Sequence, residues 1–502
     1  MIRENMKYLL LTVILFLSLI ESSKSQTSIH YLPLETIVYD YLDYQINSGK
    51  KIPKFVFRQP YELDRDYAFK NNQSNTEIYF DKYWRKYYSN GNTNLYLLLG
   101  DLLKKDEAAL NFYNAAGGIY YKSKHLTLAN QVTFDENYKN DRFFAGDLSE
   151  SEHWLYGRIN EAYLNLNFSN FDFFIGRTKR NWGPIGEKSL ILSNNPYSYD
   201  HLLFNYTTNS LKFSLIYAQL ENLDALSKEQ SDAQVEFVND ARKYMVGHRL
   251  DWRIKNNLQI AFTEMATYGG HGRDFELAFM NPTNFYYPIQ RNDRKQMDGF
   301  WAMDIFYKPV PRLSVYTQFL IDDIIVNNEP GQNDRARYPD RFAAMLSIRN
   351  GDAFIKGLNI GLTYVRVWNR TYQSKYTYEN YHYRGLGLGY PCAGCEEIKL
   401  KMAYWGFFPF FFQNELIYGR YGDVALTDLF PLINEDFPLT PVSYNLINEL
   451  KFYYFHNTSL RLFASFIYRD NPSHYLNRLG EKNHFILSVG LNILLTKSFN
   501  ID

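Results

Sequence analysis

The chain has 502 residues, 54 Lys and Arg against 54 Asp and Glu, and a mean hydropathy of −0.40. A zero net charge argues against nucleic acid as a partner, since no basic excess exists to neutralise phosphates, and 46% hydrophobic residues exclude a disordered chain. The 44 Tyr, 38 Phe and 7 Trp make 18% of the sequence aromatic, which favours a large β-structure because such side chains fit a pleated surface better than a helix.

Arg3 and Lys7 precede an apolar run from Tyr8 to Ile20, and Ser23-Lys24-Ser25 places small residues at the two positions a signal peptidase reads. Residues 1–25 are therefore expected to be a signal peptide cleaved before Gln26. The run is shorter than the ~20 residues of a spanning helix, which argues against an uncleaved anchor. No Cys follows it, as a lipoprotein would require. Beyond residue 25 no stretch of 18 apolar residues occurs, so the mature chain is either a soluble exported protein or an outer-membrane barrel.

Leu34, Ile37, Val38, Tyr41, Leu42 and Ile46 recur at helical spacing, with Pro33 at the start and Gly49 where a C-terminal cap belongs. A second helical pattern runs from Glu77 to Tyr88. Residues 26–93 read as a helical segment at the periplasmic mouth; periodicity leaves open whether it plugs the lumen or rests on it.

From residue 94 to 502 the pattern changes to strict alternation, the signature of an outer-membrane barrel. Ala162, Leu164, Leu166 and Phe168 share one face; so do Leu211, Phe213, Leu215 and Tyr217, then Leu460, Leu462, Ala464, Phe466 and Tyr468, and finally Phe485, Leu487, Val489, Leu491, Ile493 and Leu495. Polar residues such as Glu161, Lys212, Arg461 and Arg469 lie opposite. Tight turns at Lys122-Ser123, Ser169-Asn170, Thr208-Asn209, Asn256-Asn257, Pro309 to Arg312, Asp352 to Lys356, Phe408-Pro409 and Asn457-Thr458 alternate with long polar segments. Short turns on one side and long loops on the other distinguish such a barrel from a soluble sandwich. The expected fold is all-β, a large antiparallel transmembrane barrel of about 18 strands whose first strand lies around Leu95 to Leu102, with a small N-terminal helical part. Aromatic residues beside the turns, among them Phe171, Trp252, Phe306, Tyr307, Trp405, Phe407, Phe408, Phe410, Tyr454 and Phe455, are expected to form an interfacial girdle.

Few residues carry a chemical signature. Cys392 and Cys395 are the only cysteines and lack a second pair or suitably spaced His for zinc, so a local disulfide is expected in an oxidising compartment. No HExxH, GxSxG or P-loop occurs, and no catalytic residue, metal or cofactor is assigned. The adjacent carboxylates Asp322-Asp323 and Glu396-Glu397 point to opposite faces of an extended chain and are read as solvated loop charges. Between Arg370 and Tyr390, the residues Tyr378, Tyr381, His382, Tyr383 and Arg384 combine rings with polar and cationic groups suited to sugars. The alternative is that these tyrosines pack the loop against the barrel rim.

Read together, several segments resemble the capsule-assembly Wzi family of outer-membrane proteins. GRTKRNWGPIGEKSLILSNN at 176–195 is similar to its GR…WGP…SL.LS segment, KYMVGHRLDWRIKNNLQIAFTE at 243–264 to its HRL strand pair, and LAFMNPTNFYYPIQ at 277–290 to its Asn-Pro loop. YHYRGLGLGYPCAGCEE at 381–397 resembles its Leu-Gly-x-Pro segment, except that Cys395-Glu396-Glu397 stands where Gly-Pro-Asp is expected; LETIVYDYLDYQINSG at 34–49 fits its periplasmic helix. The resemblance implies an 18-stranded barrel acting as a lectin-like receptor that holds capsular or other extracellular polysaccharide on the cell, without catalysis. Arg177, Arg180 and Trp182, at and just after a strand end, are first choices for a polar lumen or mouth surface. Outer-membrane lipid is the other expected partner, and a monomer is expected. A porin-like channel for small solutes is the competing reading, supported by the polar strand faces; an outer-membrane hydrolase built from distant residues is the third.

Overall fold

The computed structural model describes residues 31, 36–62, 74–88, 92–144, 156–222, 241–323, 340–429, 436–472, 474 and 477–501. The expected signal peptide and its cleavage site lie outside them, as do Pro33 and Leu34.

Strands β1 (Thr93–Lys105), β2 (Ala109–Lys122), β3 (Leu126–Asp135), β4 (Tyr156–Phe168), β5 (Phe171–Thr178), β6 (Tyr199–Thr207) and β7 (Leu211–Gln219) are followed by β8 (Ala241–Lys255), β9 (Leu258–His271), β10 (Asp298–Val310) and β11 (Leu313–Asp323). The series continues with β12 (Arg341–Gly351), β13 (Leu358–Val367), the two-residue strands β14 (His382–Tyr383) and β15 (Leu386–Gly387), then β16 (Cys395–Tyr404), β17 (Phe410–Tyr421), β18 (Ser443–Phe455), β19 (Leu460–Arg469) and β20 (Phe485–Phe499). All but β14 and β15 belong to one 18-stranded antiparallel sheet. It closes where β1 pairs with β20, Thr93 opposite Phe499 and Lys105 opposite Leu487.

All eight tight turns expected from the sequence lie at the end of the barrel that also holds the start of β1 and the end of β20. Short turns mark this as the periplasmic end. The outer connections are long with one exception: residues 106–108 alone join β1 to β2.

Alternation sorts the side chains as expected. Leu97, Leu250, Phe262, Leu362, Leu487 and Val489 are exposed on the outer wall, while Arg249, Gln318, Arg349 and Lys399 are buried on the inner one. A closed sheet with an apolar outside is stable only in hydrocarbon, because closure pairs every backbone group that lipid would leave unsatisfied. The protein is an outer-membrane barrel. The girdle reading needs correction: Phe171, Trp252, Tyr307, Phe407 and Phe410 face outward, but Phe306, Trp405 and Phe455 are buried inside. Consecutive residues of a strand point to opposite walls, so aromatics clustered at a turn divide between lipid and lumen.

The inward aromatics receive two N-terminal helices, α1 (Thr36–Asn47) and α2 (Asn75–Tyr88). Ser74 and Glu77 start α2 with a reciprocal cap: the Glu77 N–H donates to Ser74 Oγ at 3.3 Å, and the Ser74 N–H to Glu77 Oε2 at 2.9 Å. Tyr41 and Phe80 stack at 4.5 Å between the helices, and both rings meet Trp405. Helix α1 is buried on every side, since Asp40, Asp43, Gln45 and Asn47 are as inaccessible as Ile37, Val38 and Ile46. It therefore sits inside the lumen. Gly49 ends it with φ of 75°, and a Cβ there would lie 2.6 Å from the Pro311 carbonyl oxygen.

The wall carries a matching glycine. A Cβ on Gly351 would stand 2.3 Å from Ser48 N and 2.5 Å from Asn47 C, both backbone atoms. Gly351→Val is expected to lift the end of α1 away from the wall while leaving the barrel closed. Limited proteolysis of the folded, full-chain protein should then cut within residues 36–62 several-fold faster than in the wild type; an unchanged rate would contradict this docking.

Candidate functional site

The lumen is filled from both ends. From the outer end, residues 179–198 between β5 and β6 descend as a loop held on itself by the Trp182 N–H, which donates to the Leu192 carbonyl at 2.7 Å. Gln318 on β11 pins the loop: its Nε2 donates to the Trp182 carbonyl at 3.0 Å and its Oε1 accepts the Leu190 N–H at 2.6 Å. From the periplasmic end, the segment after α1 rises to meet it. Gln59 and Asn181 exchange two backbone hydrogen bonds of 3.0 Å each, forming one antiparallel bridge inside the barrel. Arg349 on β12 serves both sides, donating from Nη1 to Asp43 Oδ1 of α1 and to the Ile185 carbonyl of the loop, each at 2.6 Å. Lys212, whose charge suggested a channel lining, instead donates to Glu62 Oε1 at 2.9 Å, and Arg461 lies 4.9 Å above the Tyr83 ring of α2.

A second outer loop, residues 368–394, closes over the first. The hydroxyls of Tyr372 and Tyr381 donate to the carbonyls of Leu190 and Ile191 at 2.6 Å, and Ser193 binds the Leu388 and Gly389 carbonyls. Cys392 and Cys395 form the expected disulfide at the end of this loop, where β16 begins.

Above these loops lies an outer cavity of about 350 Å³, lined by Arg142, Phe143, Asn195, Leu386, Pro391, Cys392, Arg478 and the stretch from Gly422 to Thr427. Five outer loops contribute to it. Arg478 of this lining also lies 4.4 Å from the buried Tyr197 ring, which Arg158 approaches to 3.5 Å. Arg478 is paired with Asp141, which also accepts the Tyr197 hydroxyl. Lys179 lies 6.0 Å from the same ring. Burial, with help from Lys188, Arg478 and Arg158, pushes Lys179 down to about 7, the opposing pull of Asp141 notwithstanding. Burial and Lys399 likewise lower Lys188 to about 8. Further in, a cavity of about 270 Å³ is bordered by Lys188, Lys399, Lys401 and Lys451 together with Asp40, Glu187 and Glu415. The mouth and upper lumen thus present cations in excess of anions, and the depressed lysines mark where an added anion would be most welcome.

The model of the capsule assembly protein Wzi family matches residues 110–338. Over that part of its length the chain is similar to that family. No curated protein matches it in sequence. Among solved structures it is similar to the Escherichia coli outer membrane protein Wzi, described as involved in group 1 capsule assembly and as a carbohydrate binding β-barrel. That match has a TM-score of 0.61 at 14% identity and covers 94% of this chain and 100% of the other. Pseudomonas aeruginosa OccK5 (TM-score 0.46, 10% identity, 80% and 97% covered) and OccK8 (0.46, 10%, 82% and 99%) are similar at a coarser level.

Within this barrel the residues singled out in the sequence are scattered. Arg177 is half-exposed on β5 and paired with Asp200. Arg180 and Trp182 are buried in the descending loop: Arg180 donates to His201 Nε2 at 3.0 Å and lies over Phe174, and Trp182 lies under Arg58 at 4.7 Å. Tyr381, His382 and Tyr383 are buried packing residues, His382 at 3.4 Å from Glu221. Tyr378 is half-buried and stacks on the exposed Tyr376 at 5.2 Å, while Arg384 is half-buried beside Tyr383. The adjacent carboxylates are wall groups rather than solvated loop charges: Asp322 pairs with Arg341 at 3.1 Å, and Glu397 with Lys399 at 3.2 Å. Both lie on strands, and alternation turns one of each pair into the crowded lumen. The mouth residues Arg142, Phe143, Arg158, Lys179 and Arg478 carried no local motif; only their positions at or beside long outer loops hinted at them.

Replacing Arg349 by Met leaves Asp43 buried without its cation, which costs about 3–5 kcal/mol in comparable sites. A denaturant titration of the full-chain barrel in detergent should show that loss, and Asp43→Asn added to Arg349→Met should restore part of it. Equal stability of all three proteins would contradict the bridging role.

Proposed function

We propose that this barrel is a member of the Wzi family that binds an acidic capsular or other extracellular polysaccharide at its outer mouth and retains it on the cell surface, in the manner of a lectin and without chemistry on the sugar. The observation that carries the reading is the concave outer cavity lined by Arg142, Arg478 and Phe143, with Asp423 as the one carboxylate among its described lining residues, Arg478 being shared with the Tyr197 cluster that also holds Arg158 and Lys179. Carboxylate- or phosphate-bearing sugars match that set: guanidinium groups bind such oxyanions in a fork, and a ring face packs against the C–H face of a pyranose. The family match and the carbohydrate-binding description of the E. coli relative support the same conclusion. The channel reading loses support because Lys212 and Arg461, two of the polar wall residues that suggested it, are occupied by Glu62 and Tyr83 of the inner segments, while Arg469 pairs with Glu481 and Glu161 accepts from Tyr120.

Four measurements test the proposal. Cells lacking the protein should shed capsule into the medium while still synthesising it; a normal cell-bound layer would end the retention reading. Binding of purified acidic polysaccharide to the full-chain barrel should weaken at least several-fold in Arg142→Gln and Lys179→Gln, and in high salt, with neutral polysaccharide unaffected. The pH dependence has a definite sign. Lys179 titrates near 7 in the free protein, and a bound anion raises that value, so binding takes up a proton. Affinity should therefore be highest on the acid side of neutrality, fall as pH rises through 7, and lose that slope in Lys179→Gln. In a planar bilayer the intact protein should show no steady porin-sized openings.

A further inference from the structure

The outer connection between β9 and β10 behaves unlike the others. Residues 272–297 contain two short helices, α3 (Leu277–Met280) and α4 (Tyr286–Asn292). They fold over the outside of the barrel. On β8 and β9 the residues that share a face with the lipid-exposed Leu250, Trp252 and Phe262 include Tyr244, Val246, Ala266 and Tyr268, yet these four are buried. What covers them is Phe279, Tyr286, Ile289 and Met297, in an apolar cluster separate from the lumen core. Phe279 stacks on Tyr268 at 4.4 Å.

Beneath this cover lies a polar pair that hydrocarbon would not tolerate. His248 and Glu264, on the outward faces of β8 and β9, approach to 3.1 Å. Glu264 Oε1 also accepts the Tyr286 backbone N–H at 3.1 Å and the Trp301 indole N–H at 2.8 Å. The cover thus completes the partners of a carboxylate that would otherwise face the bilayer at high cost. It draws together two motifs of the sequence, the HRL strand pair and the Asn-Pro loop.

The far side of the cover is strongly apolar and exposed. Leu277 is 78% exposed, Phe285 66% and Tyr287 47%. Tyr287 lies 5.6 Å from the ring of Trp301, and Trp301, Met303 and Phe262 are exposed members of the barrel's own lipid-facing belt. Through Tyr287 the apolar surface of the flap joins the membrane belt. At its upper edge Arg291 sits 5.4 Å over the Tyr287 ring, the pairing of aromatic and cation expected at a membrane interface. The shape is held internally: Arg273 donates to Glu276 Oε1 at 2.7 Å, and Gln290 to the Met297 carbonyl at 2.8 Å.

We propose that residues 272–297 are a lipid-seated flap, lying against the outer wall within the outer leaflet and contacting the acyl chains of outer-leaflet lipid through Leu277, Phe285 and Tyr287. Phe285 stands beside His248, nearer the middle of the strands than Leu277, whose neighbour Phe279 rests on Tyr268. Phe285 is accordingly the deeper residue. The inference is independent of any polysaccharide site.

Both native cysteines are in the disulfide, so a single introduced cysteine takes a nitroxide label specifically. The full-chain protein is labelled at Leu277→Cys and at Phe285→Cys, with Phe262→Cys as a lipid reference and Glu107→Cys as a water reference, in vesicles of phosphatidylethanolamine and phosphatidylglycerol. All four side chains are exposed, so folding is retained. The expected result is collision with oxygen in preference to a water-soluble nickel chelate at 277 and 285, as at 262, with 285 the deeper. Nickel accessibility like that of 107 would overturn the proposal. Spin–spin broadening at 277 or 285 would also overturn it, by assigning the face to a second copy of the chain.

Discussion

A closed wall of this width has polar residues on its inner face and must either admit water along its axis or fill the space with protein. Here the space is filled, and the contact that makes this possible is the single antiparallel bridge between Gln59 and Asn181. One partner comes from the periplasmic side and the other from the outer side. Each brings backbone groups that must be paired inside the barrel, and they pair with each other. Arg349 then ties the two segments to the wall through Asp43 and Ile185. The roof formed by residues 368–394, the buried tyrosines and the cavity above them all rest on that arrangement.

The plug also decides how the charges act. Inside the barrel Arg249, Asp251, Asp304 and Arg58 form a chain of paired ions beneath Trp182, and Arg349, Glu187 and Lys399 form another. Such buried pairs give specificity of placement more than net stability. At the mouth the balance differs. Arg158, Lys179 and Arg478 gather around Tyr197 with Asp141 as their near carboxylate. Attraction for an anion is therefore concentrated toward the outer end, above ion chains that are paired within themselves.

Much of the fold was legible because alternation and turn chemistry are local. The strand number, the eight periplasmic turns, both helices and the Gly49 cap follow from spacing alone. What was not legible depends on where a loop goes after leaving its strand. The segment containing Arg180 and Trp182 descends into the lumen, the tyrosines near 381 become its roof, and the Asn-Pro loop turns outward over His248 and Glu264. In a barrel with both an apolar outside and a protein-filled inside, an apolar loop finds a partner on either wall, so composition does not choose between them. Helix α1 shows the same ambiguity: its apolar stripe predicted a helix correctly, but nothing in the stripe revealed that Asp40 and Asp43 would also be buried, against Lys401 and Arg349.

The placing of the two helices has a mechanical side. Between Tyr88 and Thr93 the chain has too few residues to span more than about 18 Å, so α2 is tethered next to the seam where β1 meets β20. Helix α1 is anchored instead against β11, β12 and β13, about six strands around the ring from that seam, through Asp43 to Arg349 and through the main-chain carbonyls of Ile46 and Asn47 to Lys308. Joined by the Tyr41–Phe80 stack, the pair forms a strut across the lumen. A hollow ring of tilted strands yields readily to squeezing into an oval; one braced across its width keeps its outline under lateral pressure from the bilayer, and the cavity at the far end keeps its shape with it.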